Sequence, residues 1–255
     1  MRHFALPFKV KVRKKIKEGG IVMATVKVKD LLKTALLEKV KEENQNKGLR
    51  VSELSLCIVK AIHSFNNEEP RIDEEKLFIL EIGSNLHKML QEYLQLEDVE
   101  KEFVRSYKGY KIIGHIDGIL THQGEKFLVE FKTIADKIYR NGKTSKDYLP
   151  NEHHIIQVSF YMRMANIKKA KLIYLLKSSG EIVEFDVEYT KEQEEKILKI
   201  LDETISVLKG EKNIKDYIPK DDKDAWKCKY CFYSHLCSRL QNSQEVDVLK
   251  ELENY

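Results

Sequence analysis

Residues 110–133 read YKIIGHIDGILTHQGEKFLVEFKT, two apolar runs typical of strands on either side of Gln123 and Gly124. A glycine at the second position of a two-residue turn suits a tight β-hairpin. With this turn Asp117 falls opposite Glu130, because each residue lies six positions from the turn. Directly opposed side chains of antiparallel strands are neighbours in space. The sequence therefore predicts a hairpin that brings two carboxylates together.

Two facing carboxylates repel each other, so this pairing needs a positive charge between Asp117 and Glu130. A divalent cation supplies that charge, and oxygen ligands favour Mg²⁺ or Mn²⁺. Lys132 lies on the same strand face as Glu130, since side chains alternate with a period of two. There it would position or deprotonate a metal-bound water in phosphodiester hydrolysis. The alternative interpretation is an ordinary hairpin with a cross-strand ion pair between Asp117 and Lys132.

Four further groups are candidates for the same site. His87 would add a nitrogen ligand, which favours Mn²⁺ somewhat over Mg²⁺, and the backbone carbonyl of Phe131 can add an oxygen ligand. Gln157 and Tyr161 are four residues apart and face one side of a predicted helix. They could steady the substrate phosphate or the Lys132 side chain. Each of these residues, taken alone, also fits ordinary packing or a surface position.

Strands and helices follow one another along the chain as in an α/β protein with a mixed central sheet flanked by helices. Residues 136–150 are polar and predict a mobile loop whose basic residues could line a DNA path. Strands are predicted at 101–107, 110–120, 126–133, 170–177 and 181–188, and helices at 28–42, 73–95, 152–166 and 190–209. The helix at 73–95 is expected to bury Leu77, Leu80, Leu86, Leu90 and Leu94. The loop's basic residues are Lys137, Arg140, Lys143 and Lys146.

The composition favours a cytoplasmic protein. The 255-residue chain has a formal net charge of +4, which permits a phosphate-binding surface without requiring one. Its apolar runs are too short to span a bilayer, and its basic N-terminus lacks the features of a secretory signal. Met23 is an alternative start, and the residues before it would be a basic arm or a dispensable leader.

The four cysteines can form a single four-sulfur site. In the cytoplasm, metal-bound thiolates are more natural than disulfides. Three thiols near the C-terminus and one distant thiol would tie the two ends of the chain together. The spacing alone favours zinc over an iron–sulfur cluster. The cysteines are Cys57, Cys228, Cys231 and Cys237, and the aromatic residues expected to shield the site from solvent are Trp226, Tyr230, Phe232 and Tyr233.

These motifs, taken together, resemble the motif series of RecB-type nucleases in the PD-(D/E)XK superfamily. The series consists of Gly83 with His87, the run GHID at 114–117, the run EFK at 130–132, and Gln157 with Tyr161. With the four cysteines added, the chain is similar to the CRISPR-associated exonuclease of the Cas-four family. The similarity covers nearly all of the chain from about residue 50 to about residue 240.

The resemblance implies a restriction-endonuclease-like nuclease core and a [4Fe–4S] cluster on all four cysteines, which reverses the preference for zinc. The first cluster cysteine belongs to an N-terminal helical part and the other three to a C-terminal segment. The expected divisions are a basic extension at 1–22, the helical part at 23–72, the core at 73–210, the cysteine segment at 211–240 and a polar tail at 241–255.

The function implied by the resemblance is a Mn²⁺- or Mg²⁺-dependent deoxyribonuclease that trims DNA ends for CRISPR spacer acquisition. The expected substrate is DNA with single-stranded or overhanging ends, cut 5′→3′, with endonucleolytic cutting and self-association left open. CRISPR integrase proteins would be its partners. The alternatives are a free-standing viral or repair nuclease, a non-catalytic DNA-binding adaptor with a zinc or iron–sulfur staple, and a redox sensor.

Overall fold

The computed structural model describes residues 34–35, 48–72, 74–138, 142–220 and 222–238. Thr34 and Ala35 are helical, and the rest of the helix predicted at 28–42 lies outside the described residues. So do the predicted basic extension at 1–22 and the polar tail at 241–255. Within the described part, mixed sheets are flanked by helices, which confirms the predicted α/β class.

The helices and strands follow the predicted order. The strands are β1 (Leu49–Arg50), β2 (Glu102–Tyr107), β3 (Tyr110–His115), β4 (Gly118–His122), β5 (Glu125–Ile134), β6 (Lys169–Leu176) and β7 (Ile182–Glu188). The α-helices are α1 (Val51–Leu54), α2 (Ile58–Phe65), α3 (Glu74–Leu94), α4 (Glu152–Ala165), α5 (Lys191–Leu208) and α6 (Asp222–Lys229). Short 3₁₀ helices occur at Ser145–Tyr148 and Ile214–Tyr217. None of the helices in these described ranges is long and apolar enough to cross a membrane.

Two sheets replace the single predicted sheet. One has the order β1-β3-β2 and the other the order β4-β5-β6-β7. The central pair of the second sheet, β5 and β6, is parallel, while β4 and β7 run antiparallel to their neighbours. A parallel pair needs a crossover connection, and α4 lies in the connection from β5 to β6.

The predicted hairpin register is confirmed. Gly118 pairs with Val129, and His122 pairs with Glu125 across the turn. Gln123 and Gly124 both have positive φ, at 51° and 81°, which is the conformation of a type I′ turn. Extending this register by one residue places Asp117 opposite Glu130, as predicted from the sequence.

The strand predicted at 110–120 is wrong as one continuous element, because it is interrupted at Ile116 and Asp117. Strand β3 ends before this point in one sheet, and β4 begins after it in the other. The Asp117 carboxylate accepts the backbone N–H of Phe131 at 2.6 Å. The Asp117 side chain thus accepts the Phe131 N–H, which a backbone carbonyl would accept if the strand continued. The strand pairing therefore stops at Asp117.

Helix α3 buries a narrower face than its leucines predict. Leu77 is buried, whereas Leu80 and Leu94 are 57% and 42% exposed, so the expectation for these two residues is wrong. The buried side instead includes Gly83 and Gln91. A Cβ atom at Gly83 would lie 3.1 Å from the Thr133 hydroxyl oxygen, which shows how closely α3 approaches β5. The close packing at Gly83 therefore determines which face of α3 lies against β5.

Helix α4 lies against both sheets and carries one side of the site. It contacts β2 and β3 of the first sheet as well as β5, β6 and β7 of the second. Its buried residues include Val158, Phe160 and Met162, which belong to the main hydrophobic core. Because α4 is held on several sides, Gln157 and Tyr161 on this helix are fixed relative to β5.

The segment predicted as a mobile loop at 136–150 contains local structure. Thr144 and Asp147 form a reciprocal capping box on the 3₁₀ helix at Ser145–Tyr148. Ile138 and Thr144 form an isolated β-bridge. Short-range hydrogen bonds therefore organise residues 144–148 of a segment whose composition alone predicts a loop.

Candidate active site

Asp117 and Glu130 are both buried, with 8% and 3% of their surface exposed. Asp117 lies in the break between β3 and β4, and Glu130 lies in the middle of β5. Charged carboxylates are costly to bury without compensating partners. The hydrogen bonds and ion pairs of these two carboxylates therefore show how far their charge is compensated.

Glu130 has one fully occupied oxygen and one oxygen without a partner. Its Oε1 accepts hydrogen bonds from Lys132 Nζ at 2.6 Å and from Gln157 Nε2 at 3.0 Å. Its Oε2 is buried and has no hydrogen-bond partner. Gln157 Nε2 also donates to the Tyr161 hydroxyl at 2.9 Å, so both of its hydrogens are used. Gln157 thus contacts the carboxylate, rather than the Lys132 side chain as one sequence-based interpretation had it.

Burial raises the pKa of the Glu130 carboxyl to about 8, with the nearby Asp117 charge raising it further and the Lys132 ammonium opposing the rise. Burial is the largest cause, because a carboxylate loses its hydration inside the protein. The protein groups around Glu130 therefore do not fully compensate its negative charge. A positive charge beside Oε2 would restore the carboxylate form near neutral pH.

His87 approaches Asp117 from α3. Its Nδ1 lies 3.4 Å from Asp117 Oδ1. One helical turn further on, Gln91 donates to the same Asp117 oxygen at 3.4 Å and to Glu100 Oε1 at 2.9 Å. Sequence reasoning missed Gln91 and Glu100. The four-residue spacing from His87 could have indicated Gln91, but no local pattern indicates Glu100.

Tyr161 packs against Gly114 of the GHID run. A Cβ atom at Gly114 would lie 2.8 Å from a Tyr161 ring carbon, closer than packed atoms allow. Burial, with the nearby Glu130 charge adding to it, raises the pKa of the Tyr161 hydroxyl well above its usual value, so this group stays protonated. Gly114 thus provides the space that lets Tyr161 reach Gln157.

Gly114→Ala is expected to destabilise the fold by about 1–3 kcal/mol, because the new methyl group overlaps the Tyr161 ring. Urea unfolding of Gly114→Ala in the wild-type and Tyr161→Ala backgrounds checks this. The cost should shrink when the ring is absent. An equal cost in both backgrounds would show that the ring is not what the methyl group displaces.

The donor set suits a divalent metal. In the part of the chain that the structure describes, no three His, Cys, Asp or Glu side chains already converge as a finished metal site. The unpartnered buried Glu130 Oε2 and the Asp117 oxygen facing His87 are nevertheless the kinds of ligand that Mg²⁺ and Mn²⁺ take. The backbone N–H of Phe131 bonds Asp117, and the role of its carbonyl stays a prediction.

All four cysteines line one small cavity, although they come from distant parts of the sequence. Cys57 immediately precedes α2, Cys228 lies in α6, and Cys231 and Cys237 follow α6. None of the four forms a disulfide. Burial, together with the neighbouring thiols, raises the pKa of the Cys237 thiol to about 12. The fold therefore brings the four cysteines to one cavity, although they do not converge there as a finished metal site, and their role as iron–sulfur or zinc ligands stays a prediction.

The aromatic residues of this segment divide into two groups. Tyr233 is buried and stacks on His63 with ring centroids 6.0 Å apart. Trp226 and Tyr230 are 44% and 52% exposed, so the expectation that they shield the cysteines is wrong. Trp226 lies on α6 and Tyr230 directly follows this helix, and the short local sequence does not reveal that both rings face outward.

The basic residues predicted to line a DNA path are partly engaged within the protein. Lys146 forms an ion pair with Glu181. Lys143 lies over the Tyr148 ring at 5.5 Å. Arg140 lies outside the described residues. The role of this segment in binding DNA stays a prediction.

A family model described as the PD-(D/E)XK nuclease superfamily matches residues 35–238. The chain belongs to this superfamily. The match spans the carboxylate hairpin, α4 and the cysteine segment of the nuclease. The predicted enzyme class, a deoxyribonuclease, is confirmed at this family level. A search of curated proteins gives no match.

Solved structures resemble the nuclease in fold. The crystal structure of SSO0001 is 22% identical with a TM-score of 0.59, covering 82% of this chain and 95% of that chain. The alkaline exonuclease LHK-Exo from Laribacter hongkongensis is 14% identical with a TM-score of 0.44, covering 65% of this chain and 89% of its own. A phage-related exonuclease from Haemophilus somnus is 13% identical with a TM-score of 0.44, covering 64% of this chain and 96% of its own. At 22% identity the likeness to SSO0001 concerns the fold alone.

Proposed function

We propose that the chain is a divalent-metal-dependent deoxyribonuclease whose reaction centre is Asp117, Glu130 and Lys132. The buried oxygen of Glu130 without a partner carries this proposal. A purely structural ion pair would be expected to satisfy both carboxylate oxygens, because an unpaired buried polar atom costs free energy. The vacant acceptor lies beside a second buried carboxylate, in a superfamily of nucleases.

His87, Asp117, Glu130 and the Phe131 carbonyl would hold the metal. When bound, Mg²⁺ or Mn²⁺ neutralises phosphate charge and lowers the pKa of a bound water. Lys132 would place its ammonium group at the scissile phosphate, where negative charge develops during attack. Its hydrogen bond to Glu130 at 2.6 Å fixes that position.

Gln157 and Tyr161 act as positioning residues in this proposal. Gln157 holds Glu130 by a hydrogen bond, and Tyr161 in turn accepts a hydrogen bond from Gln157. Tyr161 is 4% exposed and is held against Gly114. The pair therefore limits the rotation of the Glu130 carboxylate, which preorganises the metal ligands.

We further propose single-stranded or overhanging DNA ends as the substrate, with 5′→3′ exonuclease action in CRISPR spacer acquisition and integrase proteins as partners. The motif series and the four cysteines support this assignment to the Cas-four family. A [4Fe–4S] cluster on Cys57, Cys228, Cys231 and Cys237 would staple the two chain ends, consistent with the shared cavity. Cysteines that form no disulfide suit a reducing cytoplasm.

The test compares wild type with Asp117→Ala on DNA labelled at either the 5′ or the 3′ end, in single- and double-stranded form, with Mn²⁺. We expect wild type to shorten single strands from the 5′ end and Asp117→Ala to leave them intact. Equal cutting by both proteins would place the active site elsewhere. DNA binding without turnover in Mn²⁺ or Mg²⁺ would instead favour the non-catalytic adaptor.

A further inference from the structure

Trp226 forms the exposed end of a row of aromatic rings. Its ring centroid lies 5.5 Å from that of His153, which lies 3.9 Å from His154. His154 is in turn 5.6 Å from Tyr174. Tyr174 is fully buried, whereas Trp226 remains 44% exposed. The row therefore runs from the surface to the core, and the Trp226 ring packs against His153 at its outer end.

The inner end of this row lies beside the reaction centre. Tyr174 on β6 is the register partner of Lys132 on β5. Partner residues on adjacent strands point to the same face of a sheet, so Tyr174 and Lys132 share a face. The Tyr174 hydroxyl lies 2.9 Å from His154 Nδ1 and accepts the Asn151 N–H at 3.1 Å. Hydrogen bonds thus tie the start of α4 to the strand next to Lys132.

The aromatic row contains an uncharged histidine ring and lies near lysine side chains. Burial lowers the pKa of His153 to about 4, and the charges of Lys132 and Lys227 lower it further. His153 is therefore an uncharged ring near neutral pH. Lys227 and Lys229 lie in the last turn of the helix that carries Trp226. An aromatic ring among cations is the combination that single-stranded nucleic acid binds, through base stacking and phosphate contacts.

We propose that Trp226, supported by His153, stacks on an unpaired base of the DNA strand whose phosphodiester lies at Asp117 and Glu130. This rests on the proposed nuclease function and specifies how that site selects its substrate. Bases within a duplex already stack on their neighbours, so an isolated ring favours an unpaired strand. The cysteine segment would then contribute to substrate binding as well as to folding.

Fluorescence measures this contact directly, because Trp226 is the only tryptophan in the chain. Full-length protein in EDTA is titrated with a short oligothymidylate and with an abasic oligonucleotide of equal length and charge. We expect the oligothymidylate to quench the emission of Trp226 and the abasic strand to leave it nearly unchanged. Equal quenching by the two strands, or no quenching by either, would overturn the proposal.

Affinities of variants give a second readout that does not depend on cleavage. Trp226→Ala is expected to weaken oligothymidylate binding roughly 5- to 150-fold, the effect of one lost base stack. Trp226→Phe should retain most of the affinity, which guards against a folding defect in the alanine variant. Tyr230→Ala, at an exposed aromatic of the same segment, is the matched control and should bind as wild type does. Wild-type affinity in Trp226→Ala would refute the stacking contact.

The outcomes separate this inference from the nuclease proposal. Base-dependent quenching without any cleavage in Mn²⁺ would retain the stacking contact and reject the nuclease chemistry. Cleavage without base-dependent quenching would retain the nuclease and reject the contact.

Discussion

Glu130→Gln is expected to lower DNA cleavage on the order of 10³-fold while leaving the fold at least as stable as wild type. The amide keeps the size of the side chain and can still accept from Lys132 and Gln157. It removes the negative charge that a metal requires. It also removes the cost of burying a carboxylate that is 3% exposed and lacks a partner at Oε2.

The stability effect depends on pH in a defined direction. The pKa of Glu130 is raised by burial from 4.5 to about 8 in the folded protein. The folded state thus binds this proton more tightly than the unfolded state does. The stability contributed by the protonated group is complete below pH 4.5 and is lost as the pH rises through about 8. Metal-free wild type should therefore lose stability across this range relative to Glu130→Gln.

Thermal melting from pH 4.5 to 8 in EDTA measures the difference. Glu125→Gln is the matched control, since it makes the same change at the exposed start of β5, where Glu125 pairs with Lys169. This control should cleave normally and change stability by no more than about 0.5 kcal/mol. Undiminished cleavage by Glu130→Gln would remove this residue from the reaction centre. A Glu130→Gln protein less stable than wild type at the upper pH would contradict the burial argument.

If the four cysteines hold the proposed cluster, Cys228→Ala is expected to lose the iron and to lower the thermal stability by several degrees or more. Cys57 and Cys228 are separated by most of the chain, so a cluster that joined them would close a very long loop. In a chain-entropy account, closing a loop of this size contributes on the order of 5 kcal/mol. The three remaining thiols would also be left partly buried without a common ligand. Activity should fall indirectly, as α6 loosens.

Anaerobically purified protein gives the iron content, the visible absorption and the melting temperature. Ser234→Ala is the matched control, since Ser234 lines the same cavity without offering a thiol. It should keep both iron and stability. Retained iron and unchanged melting in Cys228→Ala would reject the four-cysteine cluster, whereas stoichiometric zinc in colourless protein would support the alternative metal.

Local sequence predicts much of the hairpin because its determinants are short-range. The Gln123-Gly124 turn fixes the register, and the strand period then places Lys132 beside Glu130. The four-residue helical spacing likewise predicts that Gln157 and Tyr161 share a face, and they are hydrogen-bonded at 2.9 Å. Turn geometry, strand period and helix period depend on residues that are close in the sequence. These features can therefore be predicted from the sequence alone.

Other features depend on contacts between segments that are distant in the sequence. The exposure of Leu80 and Leu94 depends on how closely Gly83 brings α3 to β5. The participation of Gln91 and Glu100 depends on which helix face meets Asp117.

By itself, the sequence determined the order of the elements, the carboxylate hairpin and the identity of the four cysteines. Only the tertiary structure decided that the chain changes sheets at Asp117, that one Glu130 oxygen is left without a partner, and that Trp226 faces outward beside His153. Periodicity and turn chemistry are local properties. Burial, partner choice and pKa are set by atoms that folding brings together from everywhere in the chain.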